Sequence, residues 1–222
     1  MRGEDARHLT RVLRAAPGRL FEISDNQAAY LAEIMEARGE RVVFRVIEPI
    51  AAAALPVEIA LCAALIKFDR FEWIVEKATE LGVARILPVE TARSEKGLLA
   101  AAAGRRERWV KIARESSQQS RRVTAPEILP AVRFEASLAV DAEFRYFLEE
   151  GAAPPLARRL PEHRTAGARA ALLLGPEGGW TDAEREGAAG AGWQAVSLGP
   201  QVLRAETAAA AALAILLHAW IL

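Results

Sequence analysis

The stretch Ala170-Ala171-Leu172-Leu173-Leu174-Gly175-Pro176-Glu177-Gly178-Gly179 decides the fold class of this chain. Its first five residues form an apolar run, which is typical of a strand buried on both faces of a parallel sheet. A glycine-rich turn follows directly, and Thr181 with Glu184 then forms a capping box that predicts the start of a helix. A strand that passes through such a turn into a helix indicates an α/β domain.

The same order of elements occurs upstream of this turn. The apolar run Val57–Leu65 predicts another buried strand, and Asp69 with Glu72 predicts the capped start of a helix that Gly82 would end. Further segments continue the pattern: a strand at Val83–Val89, a basic helix from about Leu98 to Gln119, strands at Phe144–Leu148 and Ala195–Leu198, and a closing helix from Ala205. Alternating strands and helices favour a mostly parallel sheet.

The first fifty residues have a different pattern. Short apolar runs separated by turn residues lie at Leu9–Leu13, Leu20–Ile23, Gln27–Glu36 and Val42–Ile47. Closely spaced strands with polar turns predict a small β-barrel over residues 1–52. The alanine-rich stretch between Pro49 and Pro56 is interpreted as a linker, so the second domain would span residues 56–222.

Composition excludes several protein classes. The single cysteine, Cys62, excludes a scaffold built on internal disulfides, and the three scattered histidines predict no metal site. The first residues lack the apolar core of a signal peptide, which indicates a cytoplasmic protein. The uncharged segment Thr207–Leu222 is shorter than the roughly 20 residues that a membrane span needs. We therefore expect a helix packed in a core or a subunit interface, in preference to a membrane tail anchor.

Basic residues are concentrated in one segment, although the chain has 29 basic and 29 acidic residues in total. The segment Arg93–Arg122 is strongly basic, and arginine is the side chain that binds phosphate in a forked geometry. The segment is therefore interpreted either as a nucleic-acid contact or as a solvated helix face.

A second glycine turn, Leu198-Gly199-Pro200-Gln201-Val202-Leu203-Arg204-Ala205-Glu206-Thr207, follows the last predicted strand. With this turn and the first one, the chain resembles the bacterial 16S ribosomal RNA uracil-N3 methyltransferases, the RsmE type of the SPOUT class. Upstream motifs agree in order, which extends the resemblance over most of the chain: His8–Arg14, Lys67-x-Asp69-Arg70-x-Glu72, Glu76–Val83 and Arg108–Arg122. Val202 and Ala205 depart from the usual family residues, and neither change removes a charged motif residue.

The resemblance implies a fold and an activity. It implies an RNA-binding PUA-like β-barrel over residues 1–52 and an α/β SPOUT methyltransferase domain over residues 56–222, tied in a C-terminal trefoil knot. The implied cofactor is S-adenosylmethionine, and the implied partners are 16S ribosomal RNA or the assembled small subunit and a second copy of the chain paired through the knot. The implied reaction is methylation of N3 of a specific uridine.

The resemblance also implies site residues. The cofactor would be held by the two turns, through Leu173, Leu174, Gly175, Pro176, Glu177, Gly178, Gly179, Leu198, Gly199, Val202, Leu203 and Arg204. Arg204 or Lys67 would stabilise negative charge on the uracil oxygens, because loss of the N3 proton leaves an anion. Glu206 or Glu177 would accept that proton, with a helix-terminus role as the alternative for Glu206. RNA would contact a group of arginines: Arg7, Arg11, Arg14, Arg114, Arg121 and Arg122.

Two alternative functions remain open at the level of sequence. A SPOUT methyltransferase could act on another ribosomal or transfer RNA site, since the two turns alone do not define the acceptor. A non-catalytic RNA-binding factor in ribosome assembly is the second alternative. Binding of S-adenosylmethionine would distinguish the uracil-N3 methyltransferase and the alternative methyltransferase from this non-catalytic factor.

Overall fold

The structure, a computed structural model, describes residues 1–51 and 55–222, and the chain divides into two units, Met1–Ala54 and Leu55–Leu222. The middle of the predicted linker, residues 52–54, therefore lies outside the described residues. The start of the predicted linker is wrong, because Pro49 and Ile50 belong to the last strand of the first unit.

The first unit consists of a short helix and an antiparallel sheet. Its elements are α1 (Glu4–Arg11), β1 (Leu20–Ser24), β2 (Ala29–Arg38) and β3 (Arg41–Ile50), with the strand order β1-β2-β3. Interpreting Leu9–Leu13 as a strand is wrong, because this run overlaps the end of α1. Ala6 and Leu9 lie three residues apart on one face of this helix and pack with Ile34 and Val42 of the sheet.

The second unit is an α/β domain with a parallel sheet, which confirms the α/β part of the predicted fold class. Its elements in chain order are β4 (Val57–Ala64), α2 (Phe68–Glu80), β5 (Arg85–Glu90), α3 (Leu98–Gln119), β6 (Glu127–Ile128), β7 (Val132–Arg133), α4 (Phe134–Ser137), β8 (Phe144–Leu148), β9 (Ala168–Leu174), α5 (Asp182–Gly190), β10 (Gln194–Val196) and α6 (Ala205–Ile221). The strands pair in parallel in the order β10-β8-β9-β4-β5-β6, and β7 also pairs with β5.

The apolar strands at the centre of this sheet are buried on both faces. In β9, Leu172 and Leu174 pack with residues of α2, α3 and α6, whereas Leu173 belongs to the cluster on the opposite face. Cys62 of β4 also lies in that second cluster, where burial raises the pKa of its thiol to about 12. A strand covered on both faces needs a continuous apolar sequence, which is the pattern that identified β4 and β9.

The ends of the helices agree with the sequence in α5 but not in α2. Thr181 and Glu184 form the predicted capping box at the start of α5. In α2 the predicted box is wrong: Lys67 is the N-cap residue, no side chain caps the helix, and Glu72 instead accepts hydrogen bonds from Arg108 at 2.6 and 2.8 Å. Gly82 follows the end of α2 with a φ of 84°, which is the left-handed conformation of a glycine that ends a helix, as predicted.

The closing helix α6 packs in the core, as expected. Ala209, Ala212, Leu213 and Leu216 are buried in the cluster that also contains residues of α2. Within residues 1–51 and 55–222, none of the helices combines the length and the apolar character needed to cross a membrane.

Candidate functional site

A cleft opens where β8, β9 and β10 end. Open α/β sheets bind ligands at the carboxyl ends of their strands, and these three strands are neighbours in the sheet. The cleft has a volume of about 560 Å³, including the space open to solvent. Three loops wall it, one after each strand.

The two predicted glycine turns form two of these walls. The first contributes Leu174–Glu177 and Gly179, and the second contributes Leu198, Gly199 and Leu203. The fold therefore brings together eight of the predicted cofactor-binding residues, although the turns lie about twenty residues apart in the chain.

Four predicted cofactor-binding residues do not line the cleft. Leu173 packs on the opposite face of the sheet, and Val202 is 76% exposed to solvent. Gly178 lies beneath the side chain of Arg93, and Arg204 is the exposed N-cap residue of α6. The two turns therefore contribute the other eight predicted residues to the walls of the cleft.

Gly175 lies against a fixed aromatic ring. A Cβ atom at this position would come within 2.8 Å of Trp180 Cε2 and 2.9 Å of its Nε1. The Trp180 ring is 1% exposed, stacks on Phe147 with 4.6 Å between ring centroids, and donates from Nε1 to the Leu148 carbonyl at 2.7 Å. The chain therefore requires glycine at residue 175 for the turn to approach the indole.

The first turn also needs a special backbone conformation. The Gly179 amide donates to the Pro176 carbonyl at 2.9 Å, which closes the turn, and Gly179 has a φ of 67°. Residues with a side chain rarely adopt this left-handed conformation. In the second turn, Gly199 has a φ of 129°, which residues with a side chain also rarely adopt. The glycines at these two positions thus fix the shapes of both cleft walls.

The third wall, Leu148–Glu150, was not predicted from the sequence. Glu149 accepts hydrogen bonds from Arg185 Nε at 2.5 Å and from the backbone amide of Glu150 at 3.0 Å. Burial alone would raise the pKa of Glu149, but the hydrogen bonds and charge of Arg185, together with backbone amides, bring it below its usual range. The signal for this wall was the predicted strand β8, whose end had to lie at the same edge of the sheet as the glycine turns.

Two of the three predicted catalytic residues, Arg204 and Glu206, are next in sequence to residues that line the cleft. Arg204 and Glu206 alternate in sequence with the lining residues Leu203 and Ala205. Oε2 of Glu206 is buried and has no hydrogen-bond partner in the part of the chain that the structure describes. Lys67 is exposed at the start of α2. Across the described ranges, no three His, Cys, Asp or Glu side chains are grouped as a metal ion would need.

Arg122 and Arg7, both predicted to contact RNA, bind other groups of the protein. Arg122 donates to the carbonyls of Thr79 at 2.7 Å and Val83 at 3.0 Å, and burial lowers the pKa of its guanidinium. These bonds tie α3 to the end of α2, so the structure gives Arg122 a structural role. Arg7 forms an ion pair with Glu40 in the first unit. The other arginines of this group, Arg11, Arg14, Arg114 and Arg121, are exposed.

Comparison with known proteins places this cleft in a domain family. Residues 53–217 match the family model of an RNA methyltransferase domain. The chain is 31% identical to ribosomal RNA small subunit methyltransferase E of Bacillus subtilis, and the alignment covers 93% of this chain and 84% of that protein. It is 32% identical to the protein of the same name from Synechocystis sp., with 93% of this chain and 68% of that protein covered.

A solved structure agrees with these relatives. The crystal structure of a ribosomal RNA small subunit methyltransferase E from Neisseria gonorrhoeae, bound to S-adenosyl methionine, matches with a TM-score of 0.88 and 30% identity. The match covers 99% of this chain and 91% of that one. Fold and sequence agree, and the chain belongs to the ribosomal RNA small subunit methyltransferase E family.

Proposed function

We propose that this protein transfers a methyl group from S-adenosylmethionine to N3 of a specific uridine in 16S ribosomal RNA. The observation that carries the proposal is the cleft, in which two glycine turns and the end of β8 meet at one edge of the sheet. The relatives named as small-subunit ribosomal RNA methyltransferases, and the S-adenosyl methionine bound to one of them, support the assignment.

The residues of the cleft fit this cofactor chemically. Leu174, Leu198 and Leu203 offer apolar surface for an adenine ring. Glu150 and Glu177 also line the cleft, and carboxylates suit the cationic and hydroxyl-bearing parts of the cofactor. Gly175 and the left-handed Gly179 let the backbone approach a ligand without side-chain obstruction. The predicted residues that line the cleft, with Glu149 and Glu150 added, are therefore our proposed cofactor site.

When bound, S-adenosylmethionine supplies an electrophilic methyl group, and the residues of the chain prepare the acceptor. We assign Arg204 to the uracil oxygens, because a guanidinium stabilises the negative charge that develops when N3 loses its proton. Glu206 accepts this proton in our assignment, since its buried and unpaired Oε2 is short of a hydrogen-bond donor. Lys67 is the next candidate cation, and Glu177 is the weaker candidate base because Arg70 already pairs with it.

RNA binding is assigned to both units. The exposed arginines Arg11 and Arg14 would guide RNA on the first unit, and Arg114 with Arg121 would contact phosphates on α3. The antiparallel sheet of the first unit supports a PUA-like RNA-binding domain over residues 1–52, with the methyltransferase domain over residues 56–222. Such an enzyme would work in the cytoplasm, where its ribosomal substrate is found.

A knotted, paired domain completes the proposal. Ser197, which follows β10, bonds through its backbone to Pro154 and Leu156 in the segment after β8, at 2.9 Å in each case. We place the proposed trefoil knot at this contact, which holds the two loops together. We assign the pairing of two copies to the second unit, where Val202 and Ile221 are exposed apolar side chains.

Two measurements test the proposed function. Calorimetric titration with S-adenosylmethionine is expected to show binding, and its absence would favour the non-catalytic assembly factor. Mass mapping of 16S ribosomal RNA from a deletion strain is expected to show one uridine that has lost a base methyl group, which is restored by the intact gene. Loss of a methyl group at another ribosomal or transfer RNA site would favour the alternative methyltransferase.

A further inference from the structure

The first glycine turn is held from outside the cleft by two arginines, which follow the next two strands of the sheet. In the sheet, β9 is followed by β4 and then β5. Arg70, which comes after β4, pairs with the Glu177 carboxylate, and Arg93, which comes after β5, donates from Nη1 to the Gly178 carbonyl at 2.5 Å. Two arginines, one in the first turn of α2 and one in the loop after β5, therefore hold two successive residues of one turn.

The loop that carries Arg93 is itself rigidly held. Its ends are joined by the Ser94 amide, which donates to the Thr91 carbonyl at 3.1 Å. The side-chain hydroxyl oxygens of the same two residues lie 3.0 Å apart. Between them, the Ala92 amide donates to Oε1 of Glu184 at 2.8 Å. Glu184 is only 7% exposed and lies in the first turn of α5. Arg93 thus starts from a backbone that is fixed to the helix following the glycine turn.

The Arg93 side chain reaches the rim of the cleft. Its methylene groups lie over Gly178, with Cδ at 3.4 Å from the position of a Cβ atom there. Its Nη1 and the Glu150 Oε2 each lie 3.8 Å from the corresponding position at Gly179. Opposite charges therefore flank the residue that gives the turn its left-handed conformation. Arg93 contacts the outer side of the turn, while Gly179 lines the cleft.

We propose that Arg93 is a positioning residue, which holds the Gly178–Gly179 part of the turn in the shape that binds S-adenosylmethionine, and that Glu184 sets the place of Arg93. Its hydrogen bond is to the Gly178 carbonyl of the turn, so it acts through the backbone. This inference rests on the proposed function, because it concerns the same cleft. Arg70 supports the adjacent residue, so the two arginines should show coupled effects when both are changed.

The test is cofactor affinity in Arg93→Ala, with Arg93→Lys and Arg169→Ala alongside. Arg169 is a matched control, because it is a surface arginine with two acidic partners at the other end of β9. We expect Arg93→Ala to raise the Kd for S-adenosylmethionine about tenfold, the size of one hydrogen bond to a charged donor. Arg93→Lys should recover part of the affinity, because lysine retains a donor, and Arg169→Ala should leave the Kd unchanged.

Two further readouts separate positioning from general damage. Amide hydrogen exchange of residues 176–180 should accelerate in Arg93→Ala, while exchange in α6 stays as in the unchanged protein. Turnover should recover at saturating cofactor. Wild-type Kd in Arg93→Ala, or an equal loss in Arg169→Ala, would overturn the inference. If the unchanged protein binds no S-adenosylmethionine, the proposed function itself fails. If Arg93→Ala does not fold, the Kd and exchange of Arg93→Lys decide.

Discussion

Replacing Gly175 with alanine should destabilise the second unit and distort the cleft. The added Cβ would lie 2.8, 2.9 and 3.2 Å from three atoms of the Trp180 indole, and carbon atoms in contact normally lie about 3.5–4.0 Å apart. The indole has no free direction of movement, because it is stacked on Phe147 and bonded to the Leu148 carbonyl. Relief must therefore come from movement of the turn or from loss of that hydrogen bond.

The expected cost of Gly175→Ala is about 2–3 kcal/mol. Overpacking in a rigid core typically costs about 1–3 kcal/mol, and weakening a buried hydrogen bond adds about 1 kcal/mol. For a domain of this size, the loss corresponds to a fall in Tm of about 5–10 °C. Urea unfolding followed by tryptophan fluorescence and circular dichroism gives the free energy, and calorimetry gives the accompanying loss of affinity for S-adenosylmethionine.

Gly104→Ala provides a matched control for this experiment. Gly104 lies within α3, and a Cβ atom there would have no neighbour within 4 Å among the residues that the structure describes. The same chemical change should therefore stabilise the protein by roughly 0.5–1 kcal/mol, because alanine favours a helix more than glycine does. A urea midpoint of Gly175→Ala at or above that of the wild-type protein, together with normal cofactor binding, would refute this reasoning. The indole would then not be fixed against the turn.

Three other changes test separate parts of the proposal. Arg204→Ala should lower the rate of single-turnover methylation by about 10²-fold with little effect on cofactor affinity, since charge on the uracil develops in the transition state. A parallel loss of methylation and cofactor affinity would reassign Arg204 to the cofactor loop. Replacing Arg114 and Arg121 with alanine should reduce the salt dependence of RNA binding by about one unit of slope for each lost phosphate contact, and an unchanged slope would indicate a solvated helix face. The folded-state pKa of Glu149 lies below its ordinary value of 4.5, so its ionised form stabilises the fold above that pH and this contribution is lost as pH falls through the lowered pKa. Glu149→Gln should therefore flatten the acid limb of a stability–pH profile, and an unchanged limb would show that the pair with Arg185 contributes nothing.

Elements specified by local patterns were predictable from the sequence. Helix α3 begins and ends at the predicted residues, Leu98 and Gln119, because this long segment is rich in alanine, leucine, arginine and glutamate, which favour a helix. The capping box of α5 was predictable for the same local reason. The Asp69–Glu72 pattern misled because a capping box competes with other partners for its carboxylate. Arg108, 36 residues further along the chain, binds Glu72 instead.

The candidate site was predictable only in part. Both glycine turns could be identified, since glycine marks places where the backbone adopts unusual angles or approaches another group. The wall Leu148–Glu150 could not be assigned, because the position of β8 between β9 and β10 depends on the strand order. The contact of Arg93 with Gly178 joins residues 85 positions apart, and no local pattern carries that information.

The pairing of β4 has a consequence for the synthesis of the protein. This strand is apolar and buried on both faces, and its two neighbours are β5, made soon after it, and β9, made about one hundred residues later. During translation one edge of β4 therefore has no partner while the nascent chain grows, and an apolar edge with free backbone groups readily pairs with other chains. Chains truncated between β5 and β9 should consequently aggregate through this edge more readily than chains that include β9.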